Sequence, residues 1–348
     1  MNIAVIFGGI STERNVSIAG GKAVVTALRS KGHTVVPIDP AFGTDKERKA
    51  EALINDETVN QKIENFVTVE ELTQFLPKNY LDCVNSELFD NIDCAFIVLH
   101  GKYGEDGTIQ SLLELRGIPY IGSGPRASAV AMDKLTSKTL FAANGIVTPA
   151  WEMLHQSDAE DDEFLTHLKK HLGKKIVIKP ADQGSTIGLS IIQDGYTDEI
   201  TTAINYAAKY SPNIMAEKYI QGREITVSII DQEPLPVIEI ITEDGFYDYQ
   251  HKYTKGKTNY ICPAELPEDI AEFAQNMALS AYNVIGCKGF ARVDFILSEE
   301  GQPYCLEVNT IPGFASTSLV PMAAKAVGID FPELCEKLIE IALLVISD

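Results

Sequence analysis

The chain has 348 residues, 29 basic against 49 acidic, and a net charge of −20, which argues against a nucleic-acid or membrane-surface role unless a local cluster or metal meets the polyanion. Its length exceeds one ordinary core and, at 45% hydrophobic residues, suits two or three α/β-type units. No run approaches the ~20 apolar residues of a membrane span, and Met1 enters a strand directly without a signal-like segment, so a cytoplasmic location is expected.

From residue 2 to about 122, short apolar strands (Ile3 to Phe7, Thr34 to Ile38, Cys94 to Leu99) alternate with helical stretches (Val16 to Lys31, Gly107 to Arg116), the pattern of a parallel sheet with crossover helices. The charged stretch from Pro40 to Asp90 elaborates that unit. A second, smaller α+β unit is expected over 123–222, with a helix at Met132 to Asn144, strands at Lys174 to Lys179, Gly188 to Ile192 and Ile214 to Tyr219, and a helix at Asp198 to Tyr210. The third runs over 223–348, with strands at Ile225 to Ile230 and Pro236 to Ile241, a long loop over 242–263, a helix at Pro267 to Ile285, two further strands and terminal helices. Cys83, Cys94, Cys262, Cys287, Cys305 and Cys335 are scattered without CxxC or metal-like spacing, so they are read as reduced thiols.

Six segments carry chemistry. Ala291-Arg292-Val293-Asp294-Phe295 and Cys305-Leu306-Glu307-Val308-Asn309 alternate as strands about a Ser298-Glu299-Glu300-Gly301 hairpin. Two adjacent strands then aim Arg292 and three hard-oxygen groups, Asp294, Glu307 and Asn309, at one point. That donor set suits Mg2+ beside phosphate, and the arginine suits developing negative charge. Near the start, Phe7-Gly8-Gly9 feeds a helix through Ser11-Thr12-Glu13-Arg14-Asn15, a turn expected to offer backbone N–H groups to an anion.

His100-Gly101-Lys102-Tyr103-Gly104-Glu105-Asp106-Gly107 ends a strand at the edge where open α/β sheets bind ligands. Its histidine is equally suited to a structural hydrogen bond. Lys179-Pro180 followed by Gln183-Gly184-Ser185-Thr186 delivers a lysine and then a flap suited to a triphosphate. Backbone groups of Lys218 and Ile220 are placed to read an adenine edge, and Glu224 to accept from ribose hydroxyls. The long loop holds Tyr247, Tyr249, His251, Lys252, Tyr253, Lys255 and Lys257, a local basic and aromatic excess that suits a lid excluding water.

Taken in order, Gly8-Gly9 with Glu13 and Val16-Ser17, His100 with Gly104-Glu105-Asp106-Gly107, Met132-Asp133-Lys134 with Lys138, Lys179-Pro180 with Gly184-Ser185, Glu217-Lys218, Lys252-Tyr253, Cys262-Pro263, Arg292 with Asp294, Glu307 with Asn309-Thr310, and Pro312-Gly313 with Ser318-Leu319 closely resemble the D-alanine:D-alanine ligase family over almost the whole chain. The resemblance implies an α/β, three-domain ATP-grasp fold whose central and C-terminal units are α+β. It also implies a reaction in which one D-alanine carboxylate attacks the γ-phosphate of ATP and the amine of a second D-alanine attacks the acyl phosphate, for peptidoglycan synthesis. By resemblance, Lys134, Lys179, Glu217, Lys218, Ile220, Glu224 and Lys252 bind ATP. Asp294, Glu307 and Asn309 hold two Mg2+, with Mn2+ able to substitute. Arg292 and Gly313 serve the tetrahedral oxyanion region, while Ser185, Tyr253, Glu13, His100 and the position of Asn15 serve the first substrate. Ser318 and Leu319 hold the second carboxylate. A homodimer follows from the family alone.

The family pattern places a glutamate where this chain has Asn15, expected to take the ammonium of the first D-alanine and to contact the serine and tyrosine. Gln183 stands for a flap acid, and Phe314-Ala315-Ser316-Thr317-Ser318 replaces a more polar run. A relative selecting D-serine, D-lactate or another partner is the alternative, and a catalytically inactive nucleotide-binding relative is the alternative of another class. The missing GxGxxG fingerprint argues against an NAD-linked oxidoreductase.

Overall fold

The computed structural model describes residues 1–58, 67–242 and 258–344. Strands are β1 (Asn2–Ile6), β2 (Thr34–Ile38), β3 (Cys94–Ile97), β4 (Trp151–Leu154), β5 (Ile176–Pro180), β6 (Ser190–Ile192), β7 (Ile214–Lys218), β8 (Gly222–Ile230), β9 (Glu233–Pro234), β10 (Ile238–Thr242), β11 (Thr258–Ile261), β12 (Phe290–Ser298) and β13 (Pro303–Asn309). Helices of eight residues or more are numbered α1 (Arg14–Ser30), α2 (Thr108–Arg116), α3 (Pro125–Met132), α4 (Lys134–Ala143), α5 (Asp162–Leu172), α6 (Thr197–Ala207), α7 (Glu268–Ile285), α8 (Leu319–Ala326) and α9 (Phe331–Leu344).

Three sheets organise the molecule. The first is parallel, in the order β2-β1-β3, as alternating apolar strands and helices require. The second is antiparallel, β4-β7-β5-β6, and the third is antiparallel, β11-β10-β8-β12-β13, with β9 paired to β8. In the third sheet Arg292 lies opposite Asn309 and Asp294 opposite Glu307, so all four share a face. A bulge follows Asp294, where Phe295 pairs with Cys305 and Leu306 is left unmatched. It lets Leu306 and Glu307 both escape full burial, a break in the period-two pattern that turns an apolar side chain toward the neighbouring cavity.

Several features differ from the sequence expectation: strand β4 and helices α3 and α5 add to the elements expected over 123–222. The loop placed over 242–263 contains a strand, β11, whose Thr258 pairs with Thr242 of β10. The expected lid residues Tyr247, Tyr249, His251, Lys252, Tyr253, Lys255 and Lys257 lie outside the described residues. The cores also cross the sequence blocks. Ala127, Ala131 and Phe141 of α3 and α4 pack with Val227, Val293 and Phe295 of the third sheet. Leu334, Leu338 and Ile339 of α9 join the core of the first sheet.

Helix α1 lies close on that first sheet. A Cβ at Gly21 would come within 2.6 Å of the Phe7 side chain, and one at Gly20 within 2.8 Å of Val98. The glycines thus set the height of the helix whose N-terminus enters the cleft.

Candidate active site

The glycine turn after β1 is saturated from within. Gly8 N–H donates to Ser17 Oγ at 2.8 Å, Gly9 N–H to Asp39 Oδ1 at 3.0 Å, and Ile10 N–H to the Tyr80 hydroxyl at 3.1 Å. The anion at this turn is therefore the buried Asp39, paired with Arg14 and also accepting from Ala41 N–H at 3.0 Å. This corrects the expectation of a ligand-facing nest: burying a carboxylate requires donors, and the turn's amides supply them. Arg14 also donates to the Gly9 carbonyl at 2.7 Å, fastening the turn to α1.

Glu13, just ahead of α1, is buried and lines a cavity of about 240 Å³ together with His100, Glu105, Lys134, Ser185, Tyr260, Arg292, Glu307, Asn309, Gly313, Thr317, Ser318 and Leu319. Ser185 Oγ donates to Glu13 Oε1. Ser185 and its neighbour Thr186 have φ of 51° and 60°, left-handed values that non-glycine residues hold at a cost of ~1–3 kcal/mol each and that concentrate at functional sites. Asn15 lines neither this cavity nor its neighbour, and the serine contact expected there is made by Glu13.

Two further carboxyl and imidazole groups face the same space. Glu105 accepts from Gly101 N–H at 2.6 Å, and burial, reinforced by the nearby Glu13 charge, pushes its pKa up to about 8. His100 is buried, which pulls its pKa below the ordinary value, and its Nε2 has no hydrogen-bond partner among the described residues. At the far end Ser318 precedes α8, and its Oγ accepts from Ala315 N–H at 2.9 Å. This leaves the helix start beside Gly313 facing the cavity.

The adjoining cavity, about 370 Å³, lies between the second and third sheets. Val177, Ile191, Ile296 and Leu306 give it apolar walls, and Lys179, Glu217, Lys218, Ile220, Glu224 and Asp294 give it polar ones. Lys179 pairs with Glu217, and Lys138 meets the other oxygen of that carboxylate at 2.6 Å. Burial alone would raise the Glu217 pKa, but the two ammonium groups outweigh it and hold it at about 2. Burial pulls Lys138 down, and repulsion from Lys179 adds to that effect. The Lys218 N–H donates to the Ala150 carbonyl at 2.8 Å, so this amide is committed to the protein and is not offered to an adenine edge.

Lys134, Gly184, Ser185 and Glu307 line both cavities. Lys134 opens α4 after the Asp133 cap, whose carboxylate accepts from Leu135 N–H at 3.0 Å. Its ammonium lies 3.0 Å from Glu307 and donates to the Gln183 carbonyl at 2.8 Å, tying the flap to the carboxylate strand. Burial opposes the charge on Lys134, yet Glu307 outweighs it and raises the pKa.

Arg292 grips Asp294 through Nε at 2.8 Å and Nη2 at 2.7 Å, Thr226 donates to Asp294 at 2.6 Å, and Asn309 Nδ2 donates to it at 3.1 Å. Guanidinium, ammonium and amide groups thus surround two carboxylates on one sheet face. This is how such oxygens are compensated in the protein alone, and the set fits a hard divalent cation.

Sequence reasoning did not assign Lys138, Thr226 or Tyr260. Lys138 follows Lys134 by one helical turn, so a shared face was legible. The other two depend on strand register.

The sheets and two-cavity arrangement define an ATP-grasp ligase fold. Solved structures similar to the chain include a D-alanine–D-alanine ligase from Bacillus anthracis complexed with ATP, 32% identical with a TM-score of 0.76, covering 100% of this chain and 99% of that one. The VanG D-Ala:D-Ser ligase from Enterococcus faecalis is 29% identical with a TM-score of 0.76, covering 98% and 99%. The family models described as D-ala D-ala ligase N-terminus and C-terminus match residues 2–123 and 140–340. Curated D-alanine–D-alanine ligases from Magnetococcus marinus and Moorella thermoacetica are each 41% identical, covering 98% and 99% of this chain and 97% and 99% of theirs. The chain belongs to the D-alanine–D-alanine ligase family.

Proposed function

We propose that the chain joins two D-alanines into D-alanyl-D-alanine with ATP, through an acyl phosphate, to supply peptidoglycan synthesis. One observation carries this reading: Lys134, Ser185 and Glu307 belong at once to a cavity of nucleotide character and to a smaller polar cavity, so a phosphate and an amino-acid carboxylate would meet at shared side chains. Lys179, Glu217, Ile220 and Glu224 bind the nucleotide, and Lys134 steadies its phosphates. The commitment of the Lys218 amide leaves adenine-edge recognition to other backbone groups.

Glu13 receives the ammonium of the first D-alanine, and Ser185 orients that contact. Arg292, its plane fixed by Asp294, faces the developing oxyanion. The start of α8 at Ser318 and Leu319 receives the second carboxylate, because helix N-terminal amides favour an anion. Enclosure then protects the acyl phosphate from water, the task proposed for Lys252 and Tyr253. Asp294, Glu307 and Asn309 would hold two Mg2+, with Mn2+ able to substitute. Bound there, the metal would neutralise phosphate charge.

The three units divide at 122/123 and 222/223 in this reading, and the enzyme works in the cytoplasm as a homodimer. The alternative of altered substrate choice rests on Asn15, Gln183 and the 314–318 run. Asn15 lies outside both cavities, whereas Gln183 lines the larger and Phe314, Ala315 and Thr317 the smaller, so D-alanine is proposed at the first site on Glu13 and Ser185.

Phosphate release with D-alanine alone tests the reading. Turnover is expected, with slower or no release when D-serine or D-lactate is the only added partner. Turnover that requires a second, different partner overturns it. Asp294→Asn and Glu307→Gln are expected to abolish release while leaving the far-UV circular dichroism unchanged. Near-normal rates at saturating Mg2+ would remove the metal assignment.

A further inference from the structure

On the outer side of the second sheet, away from both cavities, two histidines and a glutamate converge. Helix α5 is capped by Asp161, whose carboxylate accepts from Glu163 and Phe164 N–H at 3.0 and 2.9 Å, and it buries Leu165, Leu168 and Leu172 against the sheet. Each of His167 and His171 immediately precedes one of those leucines, and the two lie one turn apart on the shoulder of the buried stripe. Glu152 reaches the same shoulder from β4, the edge strand, where it pairs opposite Ala216.

Glu152 Oε1 lies 3.4 Å from His167 Nε2 and 3.6 Å from His171 Nδ1, and the three potential ligand atoms all lie within 4.8 Å of one another. Among the described residues this is the one group of three histidine, cysteine or acidic side chains so arranged. Zn–N and Zn–O bonds of about 2.1 Å place tetrahedral ligand atoms about 3.4 Å apart. The observed Glu–His spacings match that edge.

We propose that Glu152, His167 and His171 form a second metal site, for a borderline divalent cation such as Zn2+, that clamps helix α5 to the edge strand β4. Two imidazoles with one carboxylate select Zn2+, Co2+ or Ni2+ over Mg2+, which prefers oxygen alone. Three protein ligands leave a position for water or another donor, so the site exchanges metal readily. An unmetallated surface ion pair would require a protonated histidine and would contribute little.

The full-length protein, held in saturating Mg2+ to occupy the oxygen site, is titrated with Co2+ and followed by its visible absorption. One equivalent is expected to bind, to be displaced by Zn2+, and to raise the thermal midpoint. The double variant His167→Ala/His171→Ala should lose the band and the midpoint shift, and Glu152→Gln should weaken binding by about tenfold or more. The imidazoles are 59% and 43% exposed, so the variants are expected to fold, which far-UV circular dichroism is to check. Absence of the band in the wild type, or an unchanged band in the folded double variant, overturns the proposal.

Discussion

Glu13 and Asn15 stand two residues apart at the start of a helix, about 200° of rotation, so one cannot replace the other in the cleft. The structure gives the cleft to Glu13, which holds Ser185. Glu13→Ala is therefore expected to raise the KM of the first amino acid and to lower kcat/KM by about 100-fold, a charge-assisted contact of ~3 kcal/mol. Asn15→Glu should change kcat/KM by less than about threefold, since half-buried Asn15 lines neither cavity and a charge outside the cleft is worth under ~1 kcal/mol to the substrate. Steady-state phosphate release measures both.

Glu217 sets a different test at the same scale. Because its pKa falls from 4.5 unfolded to about 2 folded, its ionised form stabilises the fold fully above pH 4.5. That contribution, roughly 3 kcal/mol, is lost as the pH falls from 4.5 through about 2. Glu217→Gln leaves Lys138 and Lys179 without their carboxylate and is expected to cost ~3–5 kcal/mol in urea unfolding at pH 7. The variant should also lose much of the acid dependence between pH 4.5 and 2.

At the scale of elements, the strands around Arg292 and Asp294 were readable because a half-buried strand alternates and a short polar turn joins its partner. The bulge after Asp294 was not, since one unmatched residue leaves the same letters on either side. Helix α4 starts two residues later than the sequence expectation, after the Asp133 cap. The glycine turn looked like an anion site because strand, glycines and helix do make one. That its anion is Asp39, thirty residues further along, is a tertiary fact. Helix α1 offers the test: Gly21→Val drives a side chain into Phe7 and should destabilise by ~1–3 kcal/mol while displacing Glu13. A lower urea midpoint with reduced turnover is the expected pair of results.

For the whole molecule, the crossing of cores governs what can fold alone. The first sheet relies on Leu334, Leu338 and Ile339 from the far end of the chain, with Phe314 between Phe96 and Phe331. A fragment ending at residue 122 exposes that surface, so it should bind hydrophobic dye and melt without a cooperative transition. A sharp calorimetric transition in the isolated fragment would contradict this.

By itself the sequence determined the parallel first sheet, the hairpin that pairs the Arg292 and Glu307 strands, and most of the polar residues that line the two cavities, because periodicity, turn residues and motif spacing are local. Only the tertiary structure decided which of two neighbouring helix-start residues faces Ser185, which carboxylate fills the glycine turn, and how α9 completes the first core. Those outcomes depend on helix phase, strand register and the compensation of buried charge by groups distant along the chain, and none of the three is encoded within a short window of residues.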